Sequence, residues 1–441
     1  MLKRTVALAG VSLLCAGMTQ AQAKLALLIP DLYGPTGLKV DSLAVLPDGS
    51  THTAHFNSSF QESFTPFNTA IATQLASVQI PSPASGFTYA FDSSLGVFKR
   101  STESFGPILS DRAETIGHKK LSVGFHYQRF TFDSLDGVNL NNVDAVFTHD
   151  GAAPVPSGKA DVVTTQNALD VTLNQFTAFV TYGLTDRLDV SLALPIVSVD
   201  LGVTSNATIQ RIGTCPETCP ASAQLIHFFR QADGSVGDTR TYTSSGSASG
   251  IGDILFRAKG TIYKQGATGL ALGLDARFPT GDEMNLLGSG AYSLKPFLIF
   301  SYSHTGLSPH LNVAYQWNGN SVLAGNVVTG EKADLPDIVF YNAGADLGLA
   351  KRLTVAFEFL GRTVINGEQL VPVTFHALNP QQTPFPNIQF AKTSFSQFDG
   401  AAGLKFNAGG NLLVDVNVTF KLNDAGLRDK VTPLVGLEYS F

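Results

Sequence analysis

The residues best able to do chemistry in this 441-residue chain are charges of both signs set among apolar positions. Asp253, Arg257 and Lys259 share one parity of 252–263, and Asp275 and Arg277 share one parity of 270–278. Lys295, Asp346, Glu358, Arg362, Asp399, Lys405, Asp415, Lys421 and Glu438 recur in the same manner further on. The other parity carries Leu, Val, Ile, Ala and Phe. A period of two puts successive side chains on opposite faces of a strand. On a lipid-facing side each such charge would cost up to about 2–4 kcal/mol at mid-depth, so the charges must point inward and line a lumen. There they either pair and fill space or form a constriction that selects solutes through its local field.

Other constellations are weaker. His52-Thr53-Ala54-His55 has a spacing that suits one face of a helical turn, but no helical pattern surrounds it. His149-Asp150 falls in an expected external loop, where an outer-membrane hydrolase would use such a dyad and a plain loop would simply solvate it. Asp133, Asp136, Asn139 and Asp144 lack the alternation of a calcium loop. There is no Gly-x-Ser-x-Gly elbow, His-Glu-x-x-His metal motif or phosphate loop. No cofactor is implied, and the chain reads as a non-enzyme.

The elements that must position the charges are strands. The clearest is 270–278, where Leu270, Leu272, Leu274, Ala276 and Phe278 oppose Ala271, Gly273, Asp275 and Arg277. In all, twelve strands are expected, at 121–132, 171–182, 188–200, 252–263, 270–278, 292–302, 311–317, 338–349, 353–362, 395–406, 412–422 and 431–441. No convincing helical pattern appears. Connections alternate between short turns, as at Gly183–Asp186 and Gln265–Thr268, and long loops at about 133–170, 201–250, 279–291, 318–337, 363–394 and 423–430. Short periplasmic turns and long external loops characterise outer-membrane barrels, whereas a soluble sandwich has no reason to sort loops by parity. The fold class expected is all-β: a transmembrane antiparallel up-and-down barrel of about twelve, alternatively fourteen, strands over 121–441. Tyr182, Tyr302, Tyr439 and Phe441 would mark the periplasmic girdle, with Tyr292, Tyr315 and Trp317 marking the outer one.

The ends fit export. Lys3 and Arg4 precede an apolar stretch to Gly17, and Ala21-Gln22-Ala23 is a small-x-small cleavage site, so residues 1–23 read as a signal peptide. No Lys/Arg run suggests nucleic acid in a chain of net charge −6. Cys215 and Cys219 are spaced too widely for a redox motif and, in an exported compartment, suit a small loop disulfide. Residues 24–120 are rich in Pro, Phe, Ser and Thr. They would form a plug in the lumen, two extra strands (a hairpin of Phe87–Phe91 with Val97–Ser101), or a periplasmic arm.

The final strand, Val431 to Phe441, resembles the C-terminal signal read by the barrel-assembly machinery. It has a terminal aromatic, alternate apolar residues and Gly436 near the end. Leu434 departs from it, standing where that signal has a polar residue. Gly250-Ile251-Gly252-Asp253 with Arg257 and Lys259, then Arg277-Phe278-Pro279-Thr280-Gly281-Asp282-Glu283, resemble the outer-membrane proteins linked to meta-pathway phenol degradation. Tyr182–Val190 and Ala350–Leu353 carry the same likeness. The resemblance implies a barrel related in style to hydrophobic-compound and fatty-acid channels, moving small hydrophobic or aromatic solutes across outer-membrane lipid. The apolar inner positions Leu255, Phe297, Ile299, Leu360 and Leu413 would hold such a solute. With no energy-coupling sequence, transport would be passive. A general aqueous porin, an outer-membrane hydrolase and a surface-binding barrel are the alternatives.

Overall fold

A computed structural model describes residues 24–34, 37–41, 54–57, 64–78, 89–92, 97–100, 104–149, 161–212, 227–303 and 306–441. The signal-peptide stretch, Cys215, Cys219, His52 and Asp150, together with the side chains of His55 and His149, lie outside the described residues.

Alternation builds the wall. The strands are β1 (Leu121–Leu135), β2 (Val162–Thr185), β3 (Leu188–Gln210) and β4, in two pieces (Thr239–Ile251 and Ile254–Gln265). There follow β5 (Thr268–Phe278), β6 (Ser293–Tyr302), β7 (Leu307–Asn318) and β8 (Ile338–Ala350). The last four are β9 (Leu353–His376), β10 (Pro384–Gly409), β11 (Leu412–Lys421) and β12 (Val431–Ser440). Each pairs antiparallel with the next. The barrel closes where β12 meets β1, with Leu434 opposite Gln128 and Ser440 opposite Ser122. Closure leaves no unpaired edge in lipid, which a membrane barrel requires. Among the described residues the hairpin Tyr89–Asp92/Val97–Arg100 pairs only with itself, so twelve strands, not fourteen, make the barrel.

The two parities separate as the sequence requires. Leu272 is 50 % exposed and Phe357 60 %, on the outer face, while Asp275 and Glu358 are buried inside. Tyr182, Tyr302, Tyr439 and Phe441 are exposed at one rim, Tyr292 and Trp317 at the other.

Two expectations need correcting. Stretches assigned to external loops continue as strand: 162–170, 201–210, 239–250, 363–376 and 384–394. In 239–250 the residues are mostly Thr, Ser and Gly, so no apolar parity announces a strand. The second correction is a helix, α1 (Phe64–Ser77). Ala-rich and with Pro66 in its first turn, it suits a helix locally. Its described residues are buried or half-buried on every side and its polar positions are uncharged Thr, Asn, Gln and Ser, so it lacks the charged, water-facing stripe that makes a helix visible in sequence.

Leu25, Ile29, Leu38 and Phe56 of the N-terminal segment, with Ile71 and Leu75 of α1, pack against Phe147, Val163, Leu201, Val203, Leu286, Leu323, Leu370 and Ile388. This is the largest apolar cluster, and it sits at the end of the long loops. The ribbons project beyond the lipid into water, so their inward apolar residues need a cover, and the N-terminal segment supplies it. Lys24 Nζ lies 2.8 Å from Asp282 in the β5–β6 loop, and Tyr33 bonds Ser205 Oγ at 2.7 Å. At the same end, Asp136 accepts from the Leu370 and Gly426 amides, and its burial there pushes the carboxyl above its usual range.

Candidate functional site: a lumen crossed by the N-terminal segment

A twelve-stranded wall encloses more space than its own side chains fill. Here residues 105–116 cross the half of the lumen nearer the short turns. The wall holds this irregular segment largely by its backbone. Phe105 N–H donates to Thr354 Oγ1 at 2.9 Å, and Lys405 Nζ donates to Pro107 O at 2.5 Å. Leu109 and Ser110 donate to the two oxygens of Glu358 at 3.0 and 2.7 Å. Asn312 acts as a neighbouring strand would, accepting from Asp111 N–H at 2.7 Å and donating to Asp111 O at 2.9 Å. Lys259 Nζ donates to the carbonyls of Arg112 and Glu114 at 3.0 and 2.8 Å, and Ala113 is held by Ser301 and Thr261. Ile116 N–H ends the crossing on Asp189 Oδ2 at 2.9 Å. Buried backbone groups need partners, and here the inner-wall side chains supply them.

Side-chain contacts add to this. Arg257 donates twice to Asp275, at 2.6 and 2.8 Å, and once to Asp111 at 2.7 Å, while Lys295 stands 3.1 Å from Asp275. Ile108 and Leu109 pack on Ala356, Leu360, Ala401 and Leu434. Ala113 packs on Ala271, Phe297 and Ile299, and Phe105 on Leu413. The departure at Leu434 therefore has a physical reason: its partner is apolar Ile108. Of the apolar inner positions expected to meet a solute, Phe297, Ile299, Leu360 and Leu413 are covered by this segment, and Leu255 packs against Phe179 and Ala193. Replacing Leu434 by Ala should cost about 2–5 kcal/mol, as for a buried Leu, seen as a lower urea midpoint for loss of the folded gel band.

Higher in the lumen, the wall caps α1. A helix leaves its last carbonyls unpaired and carries partial negative charge there. Arg277 donates to Leu75 O at 2.5 Å and Gln316 to Ala76 O at 3.2 Å. Arg362 donates to Gln74 Oε1 and Ser77 Oγ, both at 2.7 Å, and to Gln397.

The remaining charges do other work. Asp253 accepts from Gly281 and Ser289 amides at 3.1 and 2.7 Å, clasping the β5–β6 loop onto β4 rather than facing open lumen. Asp399 pairs with Arg428, Asp415 lies 3.5 Å from His126, and Lys421 lies 3.0 Å from Asp424 at the outer rim. Glu438 accepts from Ser122, and Asp346 flanks His310. Neutral Asn312, Thr261, Ser301, Thr354 and Gln316, and Asp189, escaped the charge-based reading, although strand parity alone would have put them inside.

The resemblance motifs now have physical roles. Gly252 donates to Pro195 O, and Thr280 Oγ1 donates to Gly252 O, so the two glycine-rich motifs lock together. Gly183 exchanges backbone bonds with Lys119 and Lys120, and a β-carbon there would strike Gly117 O. Gly183→Ala should cost about 1–3 kcal/mol, as overpacking does, and should lower the yield of heat-modifiable protein on refolding.

Residues 151–333 match the family described as "Putative MetA-pathway of phenol degradation". That span takes in β2 to β7, including the Asp253 clasp and the Arg257–Asp275 pair. No curated protein matches the sequence. Among solved structures, an outer-membrane channel from Pseudomonas putida F1 is 12 % identical with a TM-score of 0.44, covering 75 % of this chain and 99 % of its own. The toluene transporter TbuX of Ralstonia pickettii is 11 % identical with a TM-score of 0.33, covering 74 % and 90 %. A FadL homologue of Pseudomonas aeruginosa is 10 % identical with a TM-score of 0.31, covering 81 % and 94 %.

Proposed function

We propose that the chain is a passive outer-membrane channel for small, hydrophobic or aromatic compounds, closed at rest by residues 24–120. The observation that carries this is the backbone-held crossing at 105–116, with α1 above it, inside a closed barrel. A wall that holds a segment largely by its backbone groups suits a plug that leaves and returns. The family match supports aromatic cargo, since phenols are what that family's description names. Hydrophobic solutes cross a lipopolysaccharide leaflet poorly, and a lumen is their alternative route. Export follows cleavage after Ala23, and the assembly machinery reads β12 through Phe441, whose side chain stands exposed at the rim. The test is solute uptake by liposomes holding the refolded chain. Uptake of phenol or toluene that saturates and is competed by other aromatics supports the reading. Uptake set by size alone, blind to polarity, would identify an aqueous porin instead.

A further inference from the structure

Between α1 and the crossing segment lies a cavity of about 70 Å³. Its floor is Leu109, its roof is Gln74, Ser77 and Val78, and its sides come from β1, β9, Asp399 of β10, Thr419 of β11, the chain before β12 and Thr432. One side is apolar: Phe130 and Phe132, stacked with centroids 5.8 Å apart, together with Leu360 and Leu427. The other side carries two guanidinium groups, Arg362 and Arg428. Arg428 is buried and gives its terminal nitrogens to Asp399 and Phe398 O, which leaves its Nε without a partner. Arg362 gives its hydrogen bonds to neutral partners, two of them on α1 and the third Gln397, with the Asp399 carboxylate its nearby countercharge. Asp429, the other carboxylate at the rim, already accepts from the Thr131 and Val431 amides and the Thr432 hydroxyl.

We propose that this cavity is a binding site for a single-ring aromatic bearing a hydroxyl or carboxylate oxygen, and that such a ligand releases α1. This rests on the channel reading above and narrows its cargo. The phenylalanines and leucines take the ring, and Arg362 and the spare Arg428 donor take the oxygen, a charge-assisted contact stronger than a neutral one. Size supplies the second half. A benzene ring occupies a cavity of about 150 Å³, roughly twice the space present. The cavity is half open; among its described lining residues the barrel wall is held by interstrand hydrogen bonds, so the part that yields is the end of α1. The ligand oxygen takes over the donations that Arg362 makes to Gln74 and Ser77, and those are the bonds that tie α1 to β9. Binding energy is thereby coupled to plug release, because the ligand prefers the displaced state.

The experiment is calorimetric titration of the full exported chain in detergent with phenol, benzoate and toluene. Each variant is first checked for folding by heat-dependent gel mobility. Saturable binding of phenol or benzoate is expected. It should weaken about tenfold or more in Arg362→Gln, as befits loss of a hydrogen bond to a charged group, and in Leu360→Trp, which fills the cavity from its apolar side. Toluene should give no saturable heat. Hydrogen exchange at Gln74–Val78 should quicken when phenol is added. Equal binding of phenol and toluene, or phenol binding indifferent to both substitutions, overturns the site. Unchanged exchange under saturating phenol overturns the release. None of these results depends on whether the barrel conducts, so failure here is separable from failure of the channel reading.

Discussion

In a planar bilayer, the chain lacking residues 24–116 should pass large, steady currents where the complete exported chain is silent. Twelve strands leave a lumen that wall side chains do not fill, and the crossing at 105–116 together with α1 fills it. The deletion exposes Glu358, Arg257, Lys259 and Lys405 to lumen water, where charges are at ease. The wall itself depends on interstrand bonds from β1–β2 round to β12–β1, none of which involves the deleted residues. The external ribbons lose Leu25, Leu38, Phe56 and Ile71 from their shared core and should loosen. The heat-dependent gel shift should therefore survive while currents appear. A deleted chain that folds and stays silent would place the closure in the ribbons and remove the crossing segment's gating role.

The barrel was legible because lipid on one side imposes a strict rule on every strand. Leu272 and Asp275 fall on opposite parities, and a slip of one residue would put the carboxylate in hydrocarbon. The lengths of β2, β3, β4, β9 and β10 were not legible, since beyond the lipid that rule lapses and Thr239–Ser249 reads as a loop. The path of the plug was hidden for a different reason. Recognition of 105–116 runs largely through its N–H and C=O groups, which every residue possesses, so the segment needs no pattern of its own. Only the wall betrays it. Leu434 was out of place in a barrel strand, and Phe297, Ile299, Leu360 and Leu413 pointed into a lumen otherwise lined by charge. Those positions signalled an apolar occupant. Its being the chain's own Phe105, Ile108, Leu109 and Ala113 could be known only once the segment was placed in space.

Arg257→Ala should have the second large effect, destabilising the folded chain by about 3–5 kcal/mol, as breaking a buried ion pair from one side does. Arg257 is buried between two carboxylates, with Phe297 beneath its guanidinium at 5.1 Å. Without it, Asp275 keeps the Lys295 ion pair, and Asp111 loses its ion pair with the wall's guanidinium. The Asp111 carboxylate then has reason to leave the wall, and the crossing goes with it. Asp111→Asn separates the two consequences. It spares the Arg257–Asp275 pair between β4 and β5 and removes only the Arg257–Asp111 tie to the plug. The asparagine variant should therefore unfold in urea close to the parent's midpoint but flicker open in the bilayer, whereas Arg257→Ala should do both. If Arg257→Ala unfolds at the parental midpoint and remains silent, the triad fastens neither wall nor plug, and closure must rest on the other wall contacts to the crossing, its backbone bonds and its apolar packing.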